Sequence, residues 1–192
     1  LRTPLTRMKL QLSLMKNEDG KKELENDINE MTAMLDSYVS FVKGETPDPI
    51  EQIYFQDLLK DICENSKFFN NKIELNIIKN VKSSGRPILL KRCCKNIIEN
   101  ATRYANKIIV ELNSNNDNII ISVDDNGPGI PENKYEDVFK PFFTLDPSRN
   151  KLKGESGLGL TISRDIIRSH GGDIKLNKSE LGGLKSSILL PI

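Results

Sequence analysis

The apolar run Ile119-Ile120-Ile121-Ser122-Val123 leads straight into Asp124-Asp125-Asn126-Gly127-Pro128-Gly129, and this junction constrains the fold more than any other stretch. A short apolar run bounded by a glycine-rich turn is a buried strand, so the chain needs a sheet with covered strands. That strand ends on a carboxylate. An ionised Asp only accepts hydrogen bonds, so Asp125 suits the exocyclic amino group of adenine and rejects the carbonyl that guanine carries there. Gly127 and Gly129 lack a Cβ and let the backbone come close to a ligand, and Pro128 stiffens the turn. Alone, the pentapeptide serves equally well as a tight strand-to-loop turn. Its neighbours decide between the two.

Helices and strands alternate around that strand. The pattern predicts a helix over 55–69, a strand over 72–78, a helix over 89–105, strands over 107–112 and 118–123, a helix over 157–170, and a hairpin of 173–176 with 186–190 through Gly182-Gly183. Residues 139–156 read as a long loop, of the kind that serves as a functional lid. The whole reads as an α/β sandwich, a mixed sheet with helices on one face. Ahead of it, Leu1, Leu5, Met8, Leu12 and Met15, then Leu24, Ile28, Met31, Leu35, Tyr38 and Val42, recur at heptad spacing on either side of the turn Asn17-Glu18-Asp19-Gly20. Two such helices bury too little alone, so residues 1–43 are expected to pair with a second copy as a four-helix bundle. Residues 44–50 read as a linker and 51–192 as one domain.

Composition narrows the function classes. Lys and Arg number 28 against 27 Asp and Glu, a balance that gives no electrostatic case for binding nucleic acid. Cys63, Cys93 and Cys94 have no metal or redox spacing and read as reduced, buried thiols of a cytosolic protein. No apolar run is long enough to cross a bilayer, and no signal peptide is present. The chain begins at Leu1 without an initiator Met and reads as a piece of something longer.

On the 89–105 helix, Asn96 and Asn100 share a face, with Arg103 and Tyr104 a turn further on. Side-chain amides are hard oxygen donors suited to Mg²⁺ shared with phosphate oxygens. Arg103 can meet phosphate charge, and Tyr104 offers a flat surface for a base or ribose. A solvated polar helix face is the alternative. Gly154-Glu155-Ser156-Gly157-Leu158-Gly159-Leu160 then opens a helix, where free backbone N–H groups make a phosphate cradle. No Lys-Ser/Thr pair follows, so it is not a Walker loop, and the motifs of eukaryotic-type protein kinases are missing.

Residues 96–104, Asp125 to Gly129, Phe139-Lys140-Pro141-Phe142-Phe143 and Gly154 to Leu160 stand in the order of the asparagine, first glycine, phenylalanine and second glycine boxes of sensor histidine kinases. The chain resembles that family along its whole length. Leu1-Arg2-Thr3-Pro4-Leu5-Thr6 looks like the sequence after the phosphoacceptor histidine. Arg86-Pro87, residues 101–104 and Gly182-Gly183-Leu184 look most like the osmosensor subtype, EnvZ-like kinases.

The resemblance implies an α+β chain: a dimeric helical hairpin followed by a Bergerat-type α/β sandwich that binds ATP and Mg²⁺. It implies that Asp125 binds adenine and that Asn100, helped by Asn96, holds Mg²⁺. Gly127, Gly129, Ile130, Gly157, Leu158, Gly159 and Leu160 would shape the pocket beside Arg103 and Tyr104, and residues 140–156 would form the lid. Within that lid Arg149, Lys151 and Lys153 are candidates for phosphate contact, while Phe142 and Phe143 are expected to anchor it in apolar surface. The phosphoacceptor would fall two residues before Leu1, so the chain is expected to bind ATP without its own acceptor, His170 being a helix C-terminal residue favourable to the dipole. A response-regulator receiver domain would take the phosphoryl group next, with Thr3 orienting water in the reverse, phosphatase reaction. The chain would be the cytoplasmic part of a bacterial inner-membrane sensor. Two rivals are an ATP-hydrolysing conformational machine of the chaperone or gyrase kind, and a non-catalytic module for dimerisation and regulator binding. The first needs a Glu where Asn96 stands, and the nucleotide constellation argues against the second. A serine kinase of the anti-sigma-factor type does not suit the amino-terminal heptads.

Overall fold

A computed structural model describes residues 8, 12, 24, 25, 28, 31, 32, 48–65, 73–145 and 157–192. The chain divides into two compact units, Leu1–Pro47 with Pro141–Leu158, and Asp48–Lys140 with Gly159–Ile192.

In the second unit the order is β1 (Glu51–Tyr54), α1 (Phe55–Glu64), β2 (Ile73–Ile77), β3 (Lys82–Gly85), α2 (Pro87–Tyr104), β4 (Ile108–Ser114), β5 (Asn118–Asp125), two short 3₁₀ turns (Glu132–Lys134 and Asp137–Phe139), α3 (Gly159–Ser169), β6 (Asp173–Lys178) and β7 (Leu184–Pro191). Five strands form one sheet in the order β2-β4-β5-β7-β6. Only β2 and β4 run parallel. The other pairs are antiparallel, so the sheet is mixed, as expected.

One face of the sheet is apolar by alternation. Ile108, Val110 and Leu112 of β4, Ile119, Ile121 and Val123 of β5, and Ile188 and Leu190 of β7 are all buried. Each helix turns a matching stripe inward: Phe55, Leu59, Ile62 and Cys63 on α1, Leu90, Cys93, Cys94, Ile97, Ile98 and Ala101 on α2, and Ile162, Ile166 and Ile167 on α3. Burying each large aliphatic contributes about 1.5–3 kcal/mol. The cysteines belong to this layer. Burial pushes the Cys63 thiol up to about 11 and the Cys94 thiol up to about 12, and raises Cys93 as well. They are inert packing groups.

Strands β1 and β3, not expected from the sequence, form a separate antiparallel ribbon. β1 buries only Ile53, and β3, Lys-Ser-Ser-Gly, has no apolar alternation to detect. The ribbon is tied to α1 by Phe55 N–H donating to the Val81 carbonyl at 3.0 Å.

Asp48, inside the expected linker, has a definite task. The N-cap of α2, Arg86, supplies no side-chain acceptor, and Pro87 follows it. The Asp48 carboxylate instead accepts from Ile88 N at 3.3 Å and Leu89 N at 2.9 Å. Two of the orphan amides of the helix start are thereby satisfied from 40 and 41 residues away. Asp48→Ala is expected to lower stability in urea by about 1 kcal/mol, the usual value of a lost cap. An unchanged midpoint and slope would count against this role.

In the first unit, Met8, Leu12, Leu24, Glu25, Ile28, Met31 and Thr32 are helical. Leu12 and Ile28 are buried in one cluster. The turn at 17–20, the remaining heptad positions and Thr3 lie outside the described residues. So do Arg149, Lys151 and Lys153. At the other end of this unit, Phe142 N donates to the Gly157 carbonyl at 3.1 Å. Phe142 and Gly157 both have φ of 63°, a left-handed conformation that is unfavourable for a bulky aromatic residue. Phe142 is 56% exposed, so of the two expected anchors only half-buried Phe143 is suited to that role. No helix among the described residues is long and apolar enough to cross a membrane.

Candidate functional site

The alternation that buries Ile119, Ile121 and Val123 also carries Asp125 to the helix-covered face, where it is 7% exposed. Its Oδ1 accepts from Gly127 N at 2.8 Å and from Leu184 N at 3.2 Å. No hydrogen bond among the described residues uses Oδ2, so one oxygen is fixed by backbone and the other is spare. Burial raises the carboxyl above its ordinary value, the two amides oppose that, and neighbouring Asp124 adds to it. Asp124 itself points to the other face and is held by Lys185 at 3.0 Å and by the Ser179 hydroxyl at 3.0 Å.

Three glycines make room around this carboxylate. A Cβ on Gly127 would lie 3.0 Å from Asp125 Oδ1 and 3.1 Å from the Tyr104 carbonyl oxygen, so the end of α2 meets the turn there. Gly129 has φ of 68°. Gly183 is the tightest: a Cβ there would overlap Asp125 Oδ1 and stand 2.5 Å from Gly127 N and 2.6 Å from the Asp125 carbonyl oxygen. Its own N–H donates to that carbonyl at 3.1 Å. In the sequence Gly182-Gly183 shows as a hairpin turn and as part of the family resemblance, with no sign of its contact with Asp125. Gly182, with φ of 102°, is the turn residue, and Gly183 is needed for clearance.

Asn126 is a latch. Its Oδ1 accepts from Asn106 N and Lys107 N at 3.1 and 3.0 Å, and its Nδ2 donates to Asn106 Oδ1 at 2.7 Å. The α2–β4 connection is thus fastened to the turn that follows β5.

Asn96 and Asn100 lie a turn apart on α2, both half-buried. The Asn96 amide nitrogen faces α3, 3.5 Å from the Gly159 carbonyl oxygen and 3.5 Å from Ser163 Oγ. Its Oδ1 is therefore turned away from α3. Arg103 and Tyr104 are exposed at the C-terminal end of the same helix. Ile130 is half-buried just after the first glycine turn. Gly159 and Leu160 begin α3, whose first turn carries no acidic residue. Nothing lies within 4 Å of a Cβ built on Gly159, so the space beside its Cα is open. Gly157 and Leu158 belong to the first unit. Among the described residues no group of three His, Cys, Asp or Glu could hold a metal. A cation here would be shared between asparagine oxygens and a ligand's own oxygens, the manner of Mg²⁺.

His170 is engaged at both ring nitrogens. Nε2 accepts from Arg86 N at 3.1 Å, and Nδ1 lies 2.8 Å from the Ile166 carbonyl, to which it donates. His170 stands just past the C-terminal end of α3, as expected, and its ring also serves as a strut joining α3 to the start of α2.

The arrangement offers a buried acceptor at the end of β5, hard amide oxygens on α2 and a helix start without acidic residues at α3. Residues 85–192 match the family described as histidine kinase-, DNA gyrase B-, and HSP90-like ATPase. The chain is 32% identical over 193 residues to sensor histidine kinase GtrS of Pseudomonas aeruginosa, covering all of this chain and 40% of that protein. It is 32% identical over 204 residues to sensor histidine kinase CpxA of Escherichia coli, covering all of this chain and 45% of that protein. It thus spans less than half the length of these curated relatives. Among solved structures, the ATP binding domain of PrrB from Mycobacterium tuberculosis is 26% identical with a TM-score of 0.62, over 76% of this chain and 98% of that one. These relatives support a sensor histidine kinase and do not support the narrower osmosensor subtype. The chain belongs to the histidine kinase-, DNA gyrase B- and HSP90-like ATPase family and carries the ATPase domain of a sensor histidine kinase.

Proposed function

We propose that this chain binds Mg-ATP and, in the whole protein, serves transfer of the γ-phosphoryl group to a histidine and from there to an aspartate of a response regulator. The observation that carries this reading is Asp125, a buried carboxylate with Oδ1 held by two backbone amides and Oδ2 spare. Oδ2 accepts the adenine amino group. Gly127, Gly129 and Ile130 let the base approach. Asn100, with Asn96, holds Mg²⁺, and Arg103 and Tyr104 flank the ribose and phosphates. Gly157, Leu158, Gly159 and Leu160 offer backbone amides to phosphate oxygens. Bound Mg-ATP supplies the phosphoryl group, and the protein's contribution is positioning and charge neutralisation.

Fast hydrolysis is not favoured. Asn96 holds the position where a water-activating base is needed, and its amide nitrogen faces α3. Glu99 is paired with Lys95 at 3.7 Å on another side of the helix. Dimerisation through residues 1–43, membrane attachment of the whole protein, and Thr3 acting in dephosphorylation of the regulator belong to the same proposal. The test is incubation of the full-length protein with γ-labelled Mg-ATP. Acid-labile, alkali-stable label on the protein that passes to a receiver domain is expected. Free phosphate alone, or acid-stable label, would contradict it. With Thr3→Ala, slower dephosphorylation of the regulator is expected, and an unchanged rate removes that role.

A further inference from the structure

Arg164, the sixth residue of α3, sits in a cluster of which only Phe139 belongs to one of the expected boxes. Its Nε and Nη2 donate to Asp173 Oδ1 and Oδ2 at 2.9 and 3.3 Å. Its Nη1 and Nη2 donate to Glu136 Oε2 and Oε1 at 2.7 and 3.3 Å. The guanidinium also lies 4.3 Å from the centre of the Phe139 ring. Arg168, a turn further on, reaches Asp173 at 3.3 and 3.4 Å.

A surface ion pair ordinarily contributes little. This one differs in geometry: the Arg164 side chain is only 12% exposed, it grips two carboxylates in fork fashion, and it covers an aromatic face. The same guanidinium holds the Asp173 carboxyl well below the usual carboxylate range and lowers that of Glu136.

What the cluster joins matters more than its strength. Glu136 and Phe139 belong to the 3₁₀ segment that follows the first glycine turn. Arg164 belongs to the helix whose first residue is Gly159. Asp173 opens β6, the strand that pairs with β7, and β7 starts at Leu184, whose amide holds Asp125. Both ends of the proposed nucleotide site are therefore referred to one guanidinium.

We propose that Arg164 is a positioning residue for the nucleotide: it fixes the start of α3 relative to the first glycine turn. It thereby sets the distance between the adenine acceptor Asp125 and the phosphate-facing amides. This inference rests on the ATP-site reading above. It makes a distinction that a purely structural role does not. A ligand that spans both ends should suffer from its loss, and one that uses only the adenine end should not.

The test compares Mg-ATP by calorimetry with adenosine by NMR chemical-shift titration, using the whole chain and its Arg164→Lys and Glu136→Gln variants. Arg164→Lys keeps the charge but loses the fork. Mg-ATP affinity is expected to fall roughly tenfold or more, about the effect of losing one charge-assisted hydrogen bond to a phosphate. Adenosine affinity should stay within about twofold, because Asp125 and its glycines are untouched. Glu136→Gln, a change at an exposed side chain that leaves the Asp173 pair intact, should move the same ratio in the same direction by less. Equal weakening of both ligands, or of neither, in the two variants would overturn the proposal. Failure of the unaltered chain to bind either ligand would overturn the ATP-site reading itself, and is a distinct result.

Discussion

Gly183→Ala is expected to abolish measurable ATP binding and to destabilise the second unit by about 1–3 kcal/mol, the usual cost of overpacking. The added methyl would overlap Asp125 Oδ1 and press on Gly127 N and the Asp125 carbonyl oxygen. None of these can step aside, because all three belong to the hydrogen-bonded frame that orients the carboxylate. Gly182→Ala is the control. Its Cβ would meet nothing within 4 Å, so only backbone strain at φ of 102° remains, about 1–2 kcal/mol. Urea unfolding together with an ATP titration separates the two. A Gly183→Ala protein that binds ATP as the unaltered chain does would show that clearance at this glycine is unimportant.

Asp125→Asn tests the chemistry of the same point without adding volume. Oδ1 receives two backbone N–H groups, so an amide must place its oxygen there and its NH₂ where Oδ2 stood. A donor then faces the adenine amino group. A charge-assisted hydrogen bond, about 1.5–3 kcal/mol, is lost, which alone is roughly 10- to 100-fold in affinity. GTP should be penalised less than ATP, because the new donor suits a carbonyl. Stability should move the other way. The folded-state pKa of Asp125 is raised, chiefly by burial. The ionised form therefore opposes folding above that pKa, and the penalty is relieved as pH falls through it. Asp125→Asn should accordingly be at least as stable as the unaltered chain at neutral pH while binding ATP poorly. On acidification, ATP binding by the unaltered chain should fail at a higher pH than an ordinary aspartate would allow. A stability loss as large as the binding loss would mean that Asp125 is chiefly structural.

The parts of this fold that were legible in the sequence are those with local periodicity. The apolar patterns of α2 and β5 are long and unmixed, and they give the bounds of both elements to within two residues at each end. Asp125, Asn96 and Asn100 were legible because each stands at a fixed place on a recognisable element. What the sequence hid depends on separation along the chain. Asp48 caps a helix 41 residues on, and Arg164 meets Glu136 across 28 residues. Gly183 matters through the carboxylate it touches, and no turn rule contains that. His170 stands at a helix end, as the sequence indicates, but the contact of its ring with the backbone of Arg86, 84 residues earlier, has no local signal. β1 and β3 escaped because a two-stranded ribbon with one buried side chain has little alternation.

Whether Asp125 and Asn100 build an ATP site is measured directly by a calorimetric titration of the chain with Mg-ATP. Saturable binding at a single site below about 1 mM, the usual upper range for enzyme substrates, is predicted. It should weaken when the metal is chelated, and it should weaken roughly tenfold or more in both Asp125→Asn and Asn100→Ala. Absence of binding by the unaltered chain, or binding that neither substitution disturbs, would contradict it.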